Sequence, residues 1–228
     1  ALRHRNLVAL HSDLMGAHAL GLRNVFAVMG DLPSTGDFPS ATSVSDITAS
    51  GSIRMIKALN SGVDLTGRPI EQATTFNVGC AFGIGAAEMD REIRILEKKI
   101  AAGADFVLTQ PVFSAETVEA ARSRLGGFPV PLLMGVLPLR SSRHAEFLHN
   151  EVPGISVPDE IREKLRVAGD DAAQVGIDLG RELLDEVSGI VDGVYFMPQF
   201  GRYDTVLDVL SGSKVMADRS RNGEAMAQ

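Results

Sequence analysis

The sequence predicts an α/β fold built on a parallel sheet, and three observations carry that prediction. Segments of strand length, at 24–29, 130–137 and 193–197, are largely apolar rather than strictly alternating, as strands covered on both faces are. Between the strand segments lie stretches whose apolar residues recur at helical spacing. Strand after strand then ends on polar residues, at Gly30-Asp31, Thr109-Gln110 and Met197-Pro198-Gln199, which is where a (β/α)8-type barrel carries its site.

Taken in order, Leu7, Leu10, Leu14 and Ala17 mark a helix stopped by Gly21, and 24–29 follows as a strand. The segment 31–45, dense in Pro, Ser, Gly, Thr and Asp, reads as a long loop, and long loops in compact domains are usually functional. Ile53, Ile56, Lys57 and Leu59 predict a helix ending near Gly62, and 74–81 a second strand. Met89, Ile93, Leu96 and Ile100 line one face of a helix with acids early, Lys98 and Lys99 late, and Gly103 as its stop. A strand at 104–110, a helix at 115–125 and a strand at 130–137 closed by Pro138 repeat the beat. Helices at 142–150 and 158–167 precede a longer one carrying Val175, Leu179, Leu183 and Val187, then the strand 193–197 and a helix at 203–210. The polar stretch 214–228 reads as a frayed tail, leaving 1–213 as one domain.

A doubly wound sheet is the competing architecture, but Gly83-Ile84-Gly85-Ala86-Ala87-Glu88 lacks the last glycine of the dinucleotide fingerprint. The barrel is favoured, although about five strands are legible where a closed barrel needs eight.

With 228 residues, 45% of them hydrophobic, the chain can bury one sizeable core. A net charge of −7 leaves no basic footprint, so nucleic acid and anionic membrane surfaces are excluded as main partners in favour of a small molecule. Cys80 is the only cysteine, so no disulfide forms within the chain and a reducing cytoplasm is the expected compartment. No apolar run approaches the roughly 20 residues of a membrane span. Because residue 1 is Ala rather than Met, processing or a longer parent protein is expected.

Asp31 reads locally either as an Asx-type turn former before Pro33 or as a carboxylate at the mouth of a site. Gln110 precedes Pro111, which cannot continue a ladder; its amide suits the edge of a heterocycle and could equally satisfy loop backbone. Arg202 could clamp a carboxylate or phosphate, or sit solvated at a helix start. Lys98 and Lys99 lie where the helix dipole accounts for them without a ligand. The five histidines form no ligand cluster, and no metal site is expected. No Gly-x-Ser-x-Gly elbow occurs, and Cys80 reads as a buried strand thiol. An aldolase-like barrel would need a Schiff-base lysine at a strand end, and none is visible.

Together these pieces resemble methylenetetrahydrofolate reductase over about residues 5–210. The carriers are Arg5-Asn6-Leu7-Val8-Ala9-Leu10, Gly16-Ala17-His18-Ala19-Leu20-Gly21, Gly30-Asp31-Leu32-Pro33 and Gly103-Ala104-Asp105-Phe106 leading to Thr109-Gln110-Pro111-Val112-Phe113. Gly135-Val136-Leu137-Pro138-Leu139, Asn150-Glu151-Val152-Pro153-Gly154-Ile155 and Met197-Pro198-Gln199-Phe200-Gly201-Arg202-Tyr203 continue the series. The last of these is similar to the branch fused behind a homocysteine methyltransferase domain. The resemblance implies a (β/α)8 barrel of which this chain carries the fourth strand onward, and a ping-pong reaction in which NAD(P)H reduces FAD and reduced FAD converts methylenetetrahydrofolate to methyltetrahydrofolate in one-carbon and methionine metabolism. It implies Gly30 and Asp31 beside the flavin, with Asp31 catalytic, Glu92 and Lys99 along its ribityl and phosphate groups, and Gln110 and Arg202 on the folate. It also implies a homo-oligomer, or a segment that completes the barrel, as partner, and a methyltransferase domain upstream. The family's proton-donating glutamate belongs to a strand before Ala1, its substrate-stacking aromatic falls at Ser142, and Gly83-Ile84 stands where the branch has Asn-Pro. These departures keep a second reading open, a non-catalytic partial barrel acting as a binding or partner module.

Overall fold

The computed structural model describes residues 1–214; the predicted tail therefore lies outside the described residues except for Lys214. Five strands, β1 (Asn24–Ala27), β2 (Asn77–Phe82), β3 (Phe106–Pro111), β4 (Leu132–Val136) and β5 (Gly193–Phe196), form a parallel sheet in the order β1-β2-β3-β4-β5. Helices α1 (Leu7–Ala19), α2 (Ala49–Asn60), α3 (Met89–Ala101), α4 (Ala115–Leu125), α5 (Ser142–Glu151), α6 (Asp159–Ala168), α7 (Ala172–Val187) and α8 (Tyr203–Ser211) accompany them, one between successive strands except that α5, α6 and α7 all lie between β4 and β5. The fold class is therefore α/β, a five-stranded portion of the barrel type. The chain divides into two compact units, one comprising Ala1–Phe82 with Asp90–Leu108, the other Gly83–Met89 with the described chain from Thr109 onward.

In the first unit β1 pairs with β2 in parallel, Asn24 opposite Asn77 through Ala27 opposite Cys80. Asn6 caps α1 by accepting the Ala9 N–H at 2.8 Å, and Thr48 caps α2 by accepting that of Gly51 at 3.1 Å, each satisfying a donor that the first helical turn leaves free. Ile53, Met55, Ile56 and Leu59 of α2 are buried, as are Val78, Cys80 and Phe82 of β2 and Leu96 of α3. Lys57 places its ammonium 2.6 Å from both oxygens of Asp105, which also accepts the Val78 N–H at 2.7 Å.

β1 ends earlier and β2 begins later than periodicity predicts, each because another group takes the backbone. The carbonyls of Val28 and Met29 accept the N–H groups of Leu2 and Arg3, so β1 stops at Ala27. Before β2, the side-chain amide of Asn60 takes over Phe76: its Oδ1 accepts the Phe76 N–H at 2.8 Å and the Thr74 hydroxyl at 2.7 Å, and its Nδ2 donates to the Phe76 carbonyl at 2.8 Å. The strand consequently begins at Asn77 rather than Thr74.

In the second unit β4 pairs with β5 in parallel, Leu133 opposite Gly193 through Val136 opposite Phe196. Its core joins Leu137 and Leu139 after β4 to Ala145 and Leu148 of α5, Ile161 and Leu165 of α6 and Ala172 of α7, with Phe113 and Met197 against it. Ser114 caps α4, and Gly126 ends it in the left-handed conformation at φ 67°, so the predicted bounds 115–125 match. Asp192 holds the start of β4 by accepting the Leu132 N–H at 2.8 Å.

Candidate functional site

In the first unit β1 ends on buried Ala27, and the chain leaves it through Gly30, whose φ of 79° suits a residue without Cβ. The Gly30 carbonyl accepts from Arg3 Nε at 3.0 Å. Asp31 follows, exposed, on a cleft of about 620 Å³ lined also by His4, Leu32, Pro33 and Phe38, a size that admits a ring system. The turn after Asp31 is closed by the Leu32 carbonyl, which accepts both the N–H and the hydroxyl of Thr35, at 3.0 and 2.8 Å. Leu32, not an Asx bond from Asp31, therefore shapes this loop, and the Asp31 carboxylate is left facing the cleft and solvent.

Glu92 and Lys99 are seven residues apart on α3, which puts them on one face about 10.5 Å apart along the axis. Lys99 is half-buried, and its ammonium donates to the Ala81 carbonyl near the end of β2 at 2.7 Å, so more than the helix dipole holds it there. Cys80, beside it, is a free buried thiol whose pKa burial pushes up, against the opposing pull of the Lys99 charge. Neither Glu92 nor Lys99 lines the cleft at Asp31.

The second unit holds Gln110, exposed on β3, and Arg202, exposed at the N-cap of α8. The Arg202 guanidinium lies 3.3 Å from Asp204 and holds that carboxyl below the usual aspartate range. The helix-start role open to Arg202 from sequence is thus visible, and the pair is an exposed one that a ligand anion could displace at little cost.

Sequence reasoning assigned no role to the groups behind Gln110. Thr109 is buried; its hydroxyl accepts the Gly135 N–H at 3.0 Å and donates to the Gln110 carbonyl at 2.6 Å. Tyr195 on β5 donates its phenol to the Thr109 carbonyl at 2.6 Å, and burial pushes that phenol's pKa up. A Cβ on Gly135 would stand 2.9 Å from Met197 Cε, 3.1 Å from the Gln110 carbonyl oxygen and 3.1 Å from the Tyr195 hydroxyl, so glycine is what lets these groups converge. Nearby, His144 Nδ1 accepts the Arg140 N–H at 3.3 Å while Nε2 meets the Gln199 side-chain amide. Burial, with the Arg140 charge adding to it, lowers the His144 pKa. The available signals were Thr109 next to Gln110 and the motif that Gly135 opens; Tyr195 lies inside an apolar strand run with nothing to single it out.

Among the described residues no group of three or more His, Cys, Asp or Glu side chains could hold a metal, and no helix is long and apolar enough to cross a membrane.

A parallel sheet with helices between its strands defines a barrel-type α/β protein. The chain belongs to the methylenetetrahydrofolate reductase family, whose model matches residues 2–199. It is 28% identical over 216 residues to the probable methylenetetrahydrofolate reductase (NADPH) of Caenorhabditis elegans, covering 89% of this chain and 30% of that protein. Methylenetetrahydrofolate reductase 2 of Saccharomyces cerevisiae is 25% identical over 180 residues, covering 76% of this chain and 28% of that one. The chain thus spans about 30% of the length of the curated relatives it matches. An uncharacterized protein from Clostridium thermocellum, described as binding two copies of 5-methyl-5,6,7,8-tetrahydrofolic acid, superposes at a TM-score of 0.47, with 20% identity over 60% of this chain and 52% of that one.

Proposed function

We propose that residues 1–213 are part of a flavin-dependent methylenetetrahydrofolate reductase that uses NAD(P)H in cytoplasmic one-carbon and methionine metabolism. The family match across residues 2–199 carries the proposal. The residues present fit FAD: Lys99 spends one of its three protons on the Ala81 carbonyl and keeps two for a phosphate, and Gly30 lets the backbone turn sharply beside Asp31. A bound FAD supplies hydride carriage between NAD(P)H and the methylene-bearing carbon of the folate. Asp31 holds a fixed negative charge beside the reacting edge, where it stabilises positive charge that develops on the folate. Gln110 donates to and accepts from the heterocycle edge. Arg202 releases Asp204 and takes the folate's carboxylate or a nucleotide anion in its place. Glu92 and Lys99 orient the ribityl and phosphate groups along α3.

The rest of the barrel comes from another segment or subunit, and a homocysteine methyltransferase domain upstream is part of the same proposal. The sheet ends on β1 and β5, and those edges favour a second reading, a partial barrel that works as a binding or partner module. The two separate on the purified whole protein carrying this chain. The enzyme reading expects a flavin absorbance spectrum and folate-dependent oxidation of NAD(P)H. Asp31→Asn should cut that turnover about 10–100-fold while leaving stability within about 0.5 kcal/mol, because the side chain is exposed. A colourless protein with no such turnover would overturn the reading.

A further inference from the structure

Gln110 sits between two peptide groups whose carbonyls are both held by side chains. The carbonyl before it, of Thr109, accepts the Tyr195 phenol at 2.6 Å; the carbonyl after it, its own, accepts the Thr109 hydroxyl at 2.6 Å. That hydroxyl is in turn oriented by the Gly135 N–H at 3.0 Å, which occupies one of its lone pairs and directs its hydrogen to Gln110. Thr109 is only 3% exposed, so water does not replace these partners when one is lost. An ordinary strand end frays, and Pro111 removes the next N–H from the ladder. Here three neighbouring strands supply a substitute clamp just where an exposed glutamine must present its amide in one direction.

We propose that Thr109 and Tyr195 are positioning residues, acting through Gln110 to fix the direction of its side-chain amide toward the pterin edge of the folate. This rests on the reading of Gln110 as a folate contact. Neither residue needs to touch the ligand; the effect passes through the two pinned peptide groups.

The test is a double-mutant cycle on the whole protein, with the dissociation constant of 5-methyltetrahydrofolate as the readout. Tyr195→Phe removes only the phenolic oxygen, and Thr109→Val removes the hydroxyl while keeping the shape. Each is expected to weaken binding by about threefold to tenfold, the worth of one hydrogen bond that holds a binding group. Thr109→Ser, which retains the hydroxyl, should bind within about twofold of the unaltered protein. In a Gln110→Ala background, Tyr195→Phe and Thr109→Val should have no further effect beyond about twofold. Losses that multiply in that background, or Thr109→Ser behaving like Thr109→Val, would overturn the proposal. If the unaltered protein does not bind the folate, it is the functional reading that fails, and the clamp is then judged by the NMR order parameter of the Gln110 backbone amide. A drop in Thr109→Val and Tyr195→Phe supports the positioning role, and unchanged order refutes it.

Discussion

Replacing Asn60 by Ala tests how one side chain decides where β2 begins. Its amide makes three bonds, to the Phe76 N–H, the Phe76 carbonyl and the Thr74 hydroxyl, all between 2.7 and 2.8 Å. Phe76 is 3% and Thr74 2% exposed, so water reaches the freed groups poorly. The Thr74 hydroxyl can rotate to another acceptor, whereas the N–H and carbonyl of Phe76 cannot. At about 1–3 kcal/mol for each buried backbone group left unpaired, Asn60→Ala should cost about 3 kcal/mol. With a urea m-value near ~2–3 kcal/mol/M, the midpoint falls by about 1–1.5 M at unchanged m. Asn60→Asp keeps the acceptor but sets a carboxylate against the Phe76 carbonyl, so it should be no better than Ala at neutral pH and improve as the carboxyl is protonated. A loss below about 1 kcal/mol for Asn60→Ala, or Asn60→Asp as stable as the unaltered chain at pH 7, would refute the reasoning.

Gly135→Ala should cost about 1–3 kcal/mol, because the Met197 methyl can swing away from the new Cβ but the Gln110 carbonyl and the Tyr195 phenol are held by their own bonds; urea unfolding checks it. The pH profile of stability carries a signature of His144. Its folded pKa is depressed, so the unfolded chain binds the extra proton: the contribution is present above the unfolded value near ~6.5 and is lost as pH falls through the lower folded value. Stability measured from pH 7 downward should therefore decline more steeply in the unaltered chain than in His144→Leu.

The helices were legible because their signals are local. The period of Met89, Ile93, Leu96 and Ile100, with acids first and lysines last, predicts α3 as found, and Ser114 with Gly126 brackets α4 within the same thirteen residues. The ends of β1 and β2 were not, because the groups that terminate them come from elsewhere: Leu2 and Arg3 on Val28 and Met29, and Asn60 on a strand start 16 residues away. Asp31 and Gln110 stand out as candidates because polar residues at the ends of predicted strands break an apolar run, and Arg202 because a guanidinium follows the last strand. Gly135 and Tyr195 were given no role because nothing in an apolar run marks one residue as facing a buried threonine.

What the sequence by itself determined is therefore the class of fold, the order of elements and the family, since periodicity, caps and motif order are properties of neighbouring residues. Tertiary structure alone decided what the polar groups do once they arrive. It gave Lys99 the Ala81 carbonyl, left the Asp31 carboxylate facing a cleft, and brought Thr109, Gly135 and Tyr195 together across 86 residues of chain. The physical reason is that a hydrogen bond depends on distance and direction in space, and a parallel sheet makes neighbours of residues separated in sequence by a whole helical crossover.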